Sequence, residues 1–123
     1  HALRTNDKRA MTNTLERSAK FQIGQVVKHR LYSFRGVIFD VDPTFDNTEE
    51  WLAAIPENLR PRRDQPFYYL LAENTESYYE AYVSEQNLLA DDSNEAIGHP
   101  QLAEYFGELK DGCYSPKSSK TIN

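Results

Sequence analysis

The sequence predicts a mainly β fold, a small and strongly bent sheet or open barrel with two short helices. Five short segments alternate apolar and polar residues and are bounded by turn residues, a pattern typical of strands. One longer segment, residues 44–66, interrupts them with a helical pattern. A length of 123 residues with 39% hydrophobic residues suits one compact domain.

The first predicted hairpin pairs "IGQVVKHRLY" with "GVIFDVD" across the turn "SFRG". In the second strand, the period of two places Asp40 and Asp42 on the same face. Pro43 has no backbone donor and is expected to end the pairing.

The charged residues of this hairpin have two interpretations. His29, Asp40 and Asp42 have the groups needed for metal binding or acid–base chemistry, but no second histidine is positioned to complete a zinc site. Cross-strand pairing of either aspartate with Lys28, His29 or Arg30 is favoured, because such pairs stabilise antiparallel strands. We therefore assign a structural role in the hairpin to His29, Arg35, Gly36, Asp40, Asp42 and Pro43.

The 44–66 insertion predicts a short helix. Asp46 or Asn47 is the expected N-cap, and Pro56 ends the helix. Trp51, with Leu52, lies on its apolar side and either covers the barrel as a lid, which is favoured, or forms an exposed hot spot.

The rest of the domain predicts a second hairpin, a last strand and a helix. "FYYLLAE" and "SYYEAYVSE" pair across "NTE", "QNLLA" is the last strand, and a helix runs from about Pro100 to Gly107. These elements together indicate an SH3-like open barrel over residues 21–107. Residues 1–20 are expected to form a disordered extension, of which 1–10 are upstream or vector-derived and Met11 is the natural start, and residues 108–123 a flexible tail.

The charge distribution disfavours general binding to nucleic acid. Residues 21–107 contain six basic and fifteen acidic residues, a net charge of −9, whereas residues 1–20 carry +3 and residues 108–123 carry +1. Non-specific phosphate binding depends on accumulated Lys and Arg. The one basic cluster of the domain is Arg60, Arg62 and Arg63, which either binds phosphates or partner carboxylates, or offsets the nearby Glu49, Glu50, Glu57 and Asp64.

The tyrosine-rich strands do not favour a stacking platform for nucleic acid, since they contain glutamates and no Lys or Arg. Core packing accounts for most tyrosines, and Tyr78 and Tyr82 are candidates for a partner interface. No nucleophile motif, Gly-rich phosphate loop or paired-cysteine spacing is found, so we expect a non-enzyme with no cofactor or metal. The single cysteine and the lack of a long apolar run predict a cytoplasmic protein without membrane contact.

Four segments carry a family resemblance. "FQIGQVVKHRLYSFRGVIFDVDPTF", "QPFYYLLAEN", "EAYVSEQNLLADDS" and "GHPQLAEYFGELKDGCYSP" resemble the HspQ family, also called YccV-like or hemimethylated-DNA-binding domains. The resemblance implies an SH3-like barrel that forms a homo-oligomer, a trimer or larger, and has no catalytic residues. It further implies a heat-shock adaptor or specificity factor that promotes degradation of denatured proteins by an ATP-dependent protease. The alternative that it implies is a protein that prefers hemimethylated DNA.

Overall fold

The computed structural model describes residues 19–117, and the predictions made for residues 1–18 and 118–123 lie outside it. A five-stranded antiparallel sheet has the order β4-β3-β2-β1-β5, and a second sheet pairs β6 with β7. The strands are β1 (Val26–His29), β2 (Arg35–Asp42), β3 (Phe67–Glu73), β4 (Tyr78–Ser84), β5 (Leu88–Ala90), β6 (Phe106–Lys110) and β7 (Cys113–Pro116). The helices are α1 (Glu49–Ala53) and α2 (Leu102–Tyr105), and single 3-10 turns cover Glu57–Leu59 and Glu85–Asn87.

The mainly β prediction and its five strands are confirmed. The edge strands β4 and β5 are not hydrogen-bonded to each other, so the sheet does not close. The SH3-like assignment therefore stays a prediction. Within residues 19–117, no helix has the length and apolar character needed to cross a membrane.

Apolar clusters cover both faces of the sheet. The first face buries one side of β1 to β5, through Val27, Ile38, Tyr68, Leu70, Ala72, Val83 and Leu88. The second face buries Val26, Val37 and Leu71 against residues from the C-terminal region: Ile97, Phe106 and Tyr114. Alternate side chains of a strand point to opposite faces, which is why neighbours such as Val26 and Val27 belong to different clusters.

The prediction of a flexible tail from residue 108 is wrong for the described part of that segment. Residues 106–116 form the β6–β7 hairpin, and Tyr114 is buried beneath the sheet. The Tyr114 backbone N–H donates to the Gly24 carbonyl at 2.7 Å, and its hydroxyl accepts from the Ile97 N–H at 3.0 Å. Few apolar residues mark this segment because the hairpin buries one face of only two short strands.

The register of the first hairpin corrects the predicted role of two aspartates. β1 pairs with only the beginning of β2, from Lys28 opposite Arg35 to Val26 opposite Val37. Asp40 and Asp42 lie beyond this pairing, opposite Tyr69 and Phe67 of β3, so neither makes the predicted cross-strand pair with β1. A bulge between Ile38 and Asp40 also shifts the alternation of faces along β2.

The turn of this hairpin also differs from the prediction. Arg35 and Gly36 belong to β2, and the connection runs over residues 30–34. The backbone of Gly36 lies so near β3 that a Cβ would stand 2.9 Å from the Leu71 carbonyl oxygen. Gly36 is thus required by close strand packing rather than by a turn. Pro43 directly follows the last residue of β2, as predicted.

Both predicted helices are present with different bounds. The N-cap of α1 is Thr48, whose hydroxyl accepts from the Trp51 N–H at 3.0 Å, and not Asp46 or Asn47. The C-terminal helix begins at Leu102, after Pro100, and ends where Phe106 enters β6.

Candidate functional site

The insertion packs on the end of the sheet through an aromatic cluster. Trp51 of α1 is half-buried and meets the Tyr82 ring edge-on, with 5.3 Å between ring centroids. Phe45 contacts Phe67 of β3 at 5.4 Å in the same manner. Edge-to-face aromatic pairs stabilise a fold by more than the burial of their apolar surface alone provides. This position places Trp51 over the sheet, the arrangement that the lid interpretation requires.

Tyr82 anchors the insertion through its hydroxyl group. The hydroxyl donates to Asp42 Oδ2 at 2.9 Å and accepts from the Asp46 backbone N–H at 2.9 Å. Burial raises the pKa of the Tyr82 phenol, and the hydrogen bond to Asp42 acts in the same direction. The phenol therefore stays protonated and links β2, β4 and the start of the insertion.

Removing this hydroxyl is expected to loosen the insertion. Tyr82→Phe keeps the ring but loses both hydrogen bonds, which lowers the free energy of unfolding by about 1 to 2 kcal/mol. Limited proteolysis within residues 44–66 should become faster. Tyr78→Phe is the control, because Tyr78 is exposed at the other end of β4. Equal cleavage rates for the two variants would contradict this role.

The three arginines of the insertion bind groups of the domain itself. Arg63 pairs with Glu49 and lies over the Phe45 ring at 5.2 Å. Arg62 pairs with Asp64 at 2.9 Å. Arg60 donates instead to the Ile55 carbonyl at 2.8 Å and the Ala53 carbonyl at 3.1 Å.

These contacts correspond to the charge-offsetting interpretation for two of the arginines. Arg60 differs, since it binds carbonyl oxygens at the C-terminal end of α1 and makes no ion pair among residues 19–117. Among residues 19–117, Arg60 is therefore the one arginine of the predicted basic cluster without a carboxylate partner.

The histidine and aspartates of the first hairpin do not form a shared site. His29 Nδ1 accepts the backbone N–H groups of Leu31 and Tyr32, each at 3.0 Å. Burial and the neighbouring Arg30 lower the pKa of His29, which keeps this nitrogen free to accept. Asp42 instead accepts from Tyr82.

Sequence reasoning missed a groove that the topology creates. Its volume is about 490 Å³, and three chain segments contribute side chains to its lining: the β1–β2 connection, the insertion between Trp51 and Pro61, and the stretch between Ala81 and Asn87. Glu57 and Glu85 belong to these segments but are not part of the lining. Leu31, Tyr32 and Leu59 line it and are exposed to solvent. Three exposed large apolar side chains in one concavity are typical of a binding surface.

The charged lining of the groove has one sign. Among residues 19–117, the lining contains Arg30 and Arg60 and no Asp or Glu. Arg30 donates to the Gln86 carbonyl at 2.9 Å and to Asn87 Oδ1 at 3.1 Å, so it too binds neutral oxygens. Neither arginine makes an ion pair within the described part of the chain. The groove is a cationic site on an acidic domain.

A buried hydroxyl also lines the groove. Ser84 is 2% exposed, and its Oγ has no hydrogen-bond partner among residues 19–117. An unpaired buried polar group is costly, and in a native protein it calls for an explanation such as strain, a bound water or a bound ion. The sequence placed Arg30, Leu31 and Tyr32 in the first strand, whereas the structure places them in the β1–β2 connection. Their exposure and partners depend on the fold and could not be predicted.

The predicted partner-binding residues do not gather at one place. Trp51, Arg60 and Tyr82 line the groove, whereas Arg62, Arg63 and Tyr78 do not. Tyr78 is exposed beside His99, with 5.9 Å between ring centroids. The groove thus combines three of the six predicted residues with others that the sequence did not indicate.

The fold and the groove describe a mainly β domain with a concave surface that is apolar and carries two arginines. Comparison with known proteins gives its family: the model described as "hemimethylated DNA-binding protein YccV like" matches residues 19–113, and the chain belongs to the YccV-like family. The resemblance read from the sequence is confirmed.

Curated relatives contain a similar segment within longer chains. F-box only protein 21 of Mus musculus is 32% identical over 107 residues, and those of Homo sapiens and Pongo abelii are 31% identical over 107 residues. These matches cover 86% of this chain and 17% of each relative.

Proposed function

We propose that the protein is a non-enzymatic binding module that captures exposed segments of denatured proteins and promotes their degradation by an ATP-dependent protease. The groove carries this proposal, because a concave, exposed apolar surface suits segments that a folded protein would bury. The HspQ-like role in heat shock, the SH3-like barrel, a cytoplasmic location and self-association belong to the same proposal.

The residues best suited to chemistry support a binding role. His29 uses Nδ1 as an acceptor for the turn, and Asp42 accepts the Tyr82 hydroxyl. Each side chain already has a structural partner, and they contact different elements. A binding module needs no further chemistry from them.

The test is degradation of a permanently unfolded protein, carboxymethylated α-lactalbumin, by purified ATP-dependent proteases. We expect the protein to raise the rate of degradation with at least one protease. Leu59→Gln should reduce the stimulation several-fold, because it removes an exposed apolar side chain from the groove. Leu89→Gln is the matched control: the two leucines are 46% and 47% exposed, and Leu89 lies on β5 outside the groove.

Unchanged degradation with every protease tried would exclude the adaptor role. If Leu59→Gln and Leu89→Gln reduced the stimulation of degradation equally, the activity would not depend on the groove. Both variants are surface substitutions and should keep the wild-type stability to within about 1 kcal/mol.

The second candidate is binding of hemimethylated DNA, which the description of the family model favours. The net charge of −9 over residues 21–107 and the internal pairing of Arg62 and Arg63 weigh against it. Affinity for hemimethylated and unmethylated duplexes, measured over a salt series, decides between the two functions. A clear preference for the hemimethylated duplex would establish this candidate, and negligible binding of both at low salt would exclude it.

A further inference from the structure

We propose that the groove binds an acidic peptide segment in extended form, as an additional strand along the open edge of β4. This inference rests on the proposed function and names the chemistry of the segment that is captured. Three observations carry it: the unpaired edge of β4, the two arginines without carboxylate partners, and the buried Ser84 hydroxyl.

The groove runs along the edge of β4. Val83 and Ala81 belong to the first apolar face of the sheet, whereas Tyr82 packs on the opposite face against Phe67. Residues from both faces of β4 line the groove, so the groove includes the edge between the two faces. Within the described residues 19–117, β4 has β3 as its only strand neighbour.

The hydrogen-bond pattern of the β3–β4 pair fixes which backbone groups of β4 point away from β3. The Glu85 N–H donates to the Pro66 carbonyl at 2.9 Å, and at the other end the Asn74 N–H donates to the Ser77 carbonyl at 3.1 Å. Hydrogen-bonded pairs alternate along an antiparallel ladder, so Val83 and the alternate residues preceding it bond to β3. Tyr82 and Ser84 therefore direct their backbone groups away from β3, the direction that strand addition by a peptide requires. Of the two, Tyr82 is half-buried and Ser84 is covered in the free domain.

The charge of the groove selects an acidic segment. Arg30 and Arg60 each use only part of their N–H donors, and the oxygens that they bind are neutral. Their remaining donors and full positive charges face a groove with no Asp or Glu in its lining. A carboxylate placed there forms the charge-assisted hydrogen bonds that the domain itself does not supply.

The buried hydroxyl supplies an independent indication of a polar ligand. Ser84 Oγ lies in the groove lining without a partner among the described residues, at the end of β4 where an added strand would pass. A backbone carbonyl or carboxylate of the peptide would accept from it. Leu31, Tyr32 and Leu59 would contact the apolar side chains of the same peptide.

The experiment measures binding of short fluorescein-labelled peptides to the full chain by fluorescence polarisation. The main probe alternates valine and glutamate, and a second probe alternates valine and lysine. Two further probes carry N-methyl groups on either all valines or all glutamates of the first peptide. Only alternate residues of an added strand bond to its neighbour, so we expect one N-methylated isomer to bind at least about tenfold more weakly than the other.

Variants test the arginines. Arg30→Gln and Arg60→Gln should each weaken binding of the valine–glutamate peptide by about tenfold, because a charge-assisted hydrogen bond is lost. Arg62→Gln is the control, since Arg62 lies outside the groove lining and pairs with Asp64. The N-methylated peptides act on the unaltered protein, so they test the strand geometry even if Arg60→Gln loosens α1.

Several results would overturn the inference. These are no binding of the valine–glutamate peptide, equal binding of the valine–lysine peptide, or equal effects of the two N-methylated isomers. Tighter binding of single-stranded oligothymidylate at the same site would assign the groove to nucleic acid. Self-association that Arg30→Gln abolishes, without peptide binding, would assign it to a second copy of the chain.

The outcome separates this inference from the proposed function. Peptide binding with the expected selectivity, but without stimulated degradation of α-lactalbumin, supports the inference and contradicts the adaptor role. Suppose that stimulated degradation depends on Leu59 but not on Arg30, and that the two N-methylated peptides bind equally. These results support the adaptor role and overturn the inference.

Discussion

Gly24→Ala is expected to destabilise the domain by about 3 kcal/mol, because the position combines backbone strain with a clash. Gly24 has φ of +92°, which L-residues with a side chain rarely adopt. A Cβ at this position would stand 2.2 Å from the Tyr114 carbonyl oxygen. The backbone N–H of Tyr114 is hydrogen-bonded to the Gly24 carbonyl, so the clash is relieved only by moving the β6–β7 hairpin away from the sheet.

Thermal unfolding and hydrogen exchange measure this effect. For a domain of this size, about 3 kcal/mol corresponds to a fall in Tm of roughly 15 °C. Faster amide exchange over residues 106–116 would place the damage at the hairpin. Gly107→Ala is the matched control, since its Cβ would meet the mobile end of the Ser115 side chain and its φ is not positive. Equal Tm values for the two variants would refute the argument.

Arg35→Met is expected to cost about 3 kcal/mol of stability at neutral pH, because it leaves a buried carboxylate without its partner. Arg35 Nε donates to Asp91 Oδ2 at 2.7 Å, and the Asp91 side chain is 6% exposed. The same guanidinium donates to the Glu95 carbonyl at 2.7 Å and to Glu73 at 3.3 Å. It thereby holds the segment after β5 against β2 and β3.

The destabilisation should depend on pH. Burial opposes the charge of Asp91, but hydrogen bonds from Arg35 and Ser93 outweigh it and lower the pKa of Asp91 from 3.8 to about 2. A carboxyl with a lowered pKa in the folded state stabilises that state above its unfolded pKa, and the contribution, about 2 kcal/mol, is lost as the pH falls toward 2. The difference between wild type and Arg35→Met should therefore shrink between pH 5 and pH 2.

Urea unfolding at pH 6 and pH 3 measures both effects. Arg62→Met is the control for Arg35→Met, because the Arg62–Asp64 pair is exposed to solvent, with side chains 68% and 82% accessible. Exposed ion pairs contribute little, so this variant should unfold like the wild type at both pH values. A pH-independent loss of stability in Arg35→Met would show that lost packing, rather than the charge of Asp91, causes the effect.

Local patterns in the sequence were sufficient to predict β1 to β5 but not β6 and β7. The alternation in "FYYLLAE" and "SYYEAYVSE", with Asn74 at the turn, predicted β3 and β4 because turn chemistry and period are local properties. The face of Asp40 was not predictable by the same means. A bulge after Ile38 shifts the register, and bulges have no simple sequence signal at this position.

The C-terminal hairpin and the groove depend on distant contacts. Tyr114 is held in its buried position by hydrogen bonds with the backbones of Gly24 and Ile97, which are distant in the sequence. The local sequence "DGCYSP", by contrast, resembles an exposed tail. Arg30 and Arg60 are separated along the chain and line the same groove only because the first connection and the insertion fold next to it. A basic cluster is visible as Arg60, Arg62 and Arg63, but which arginine keeps an uncompensated charge is decided by geometry.

The position of the β6–β7 hairpin has a consequence for synthesis on the ribosome. Val26, Val37 and Leu71 emerge early, but their cover, Phe106 and Tyr114, emerges last. A nascent chain that has completed β5 therefore exposes one apolar face of its sheet until the hairpin leaves the exit tunnel. We expect recombinant fragments that end before Pro116 to be less soluble than longer ones, because they lack the residues that cover this face.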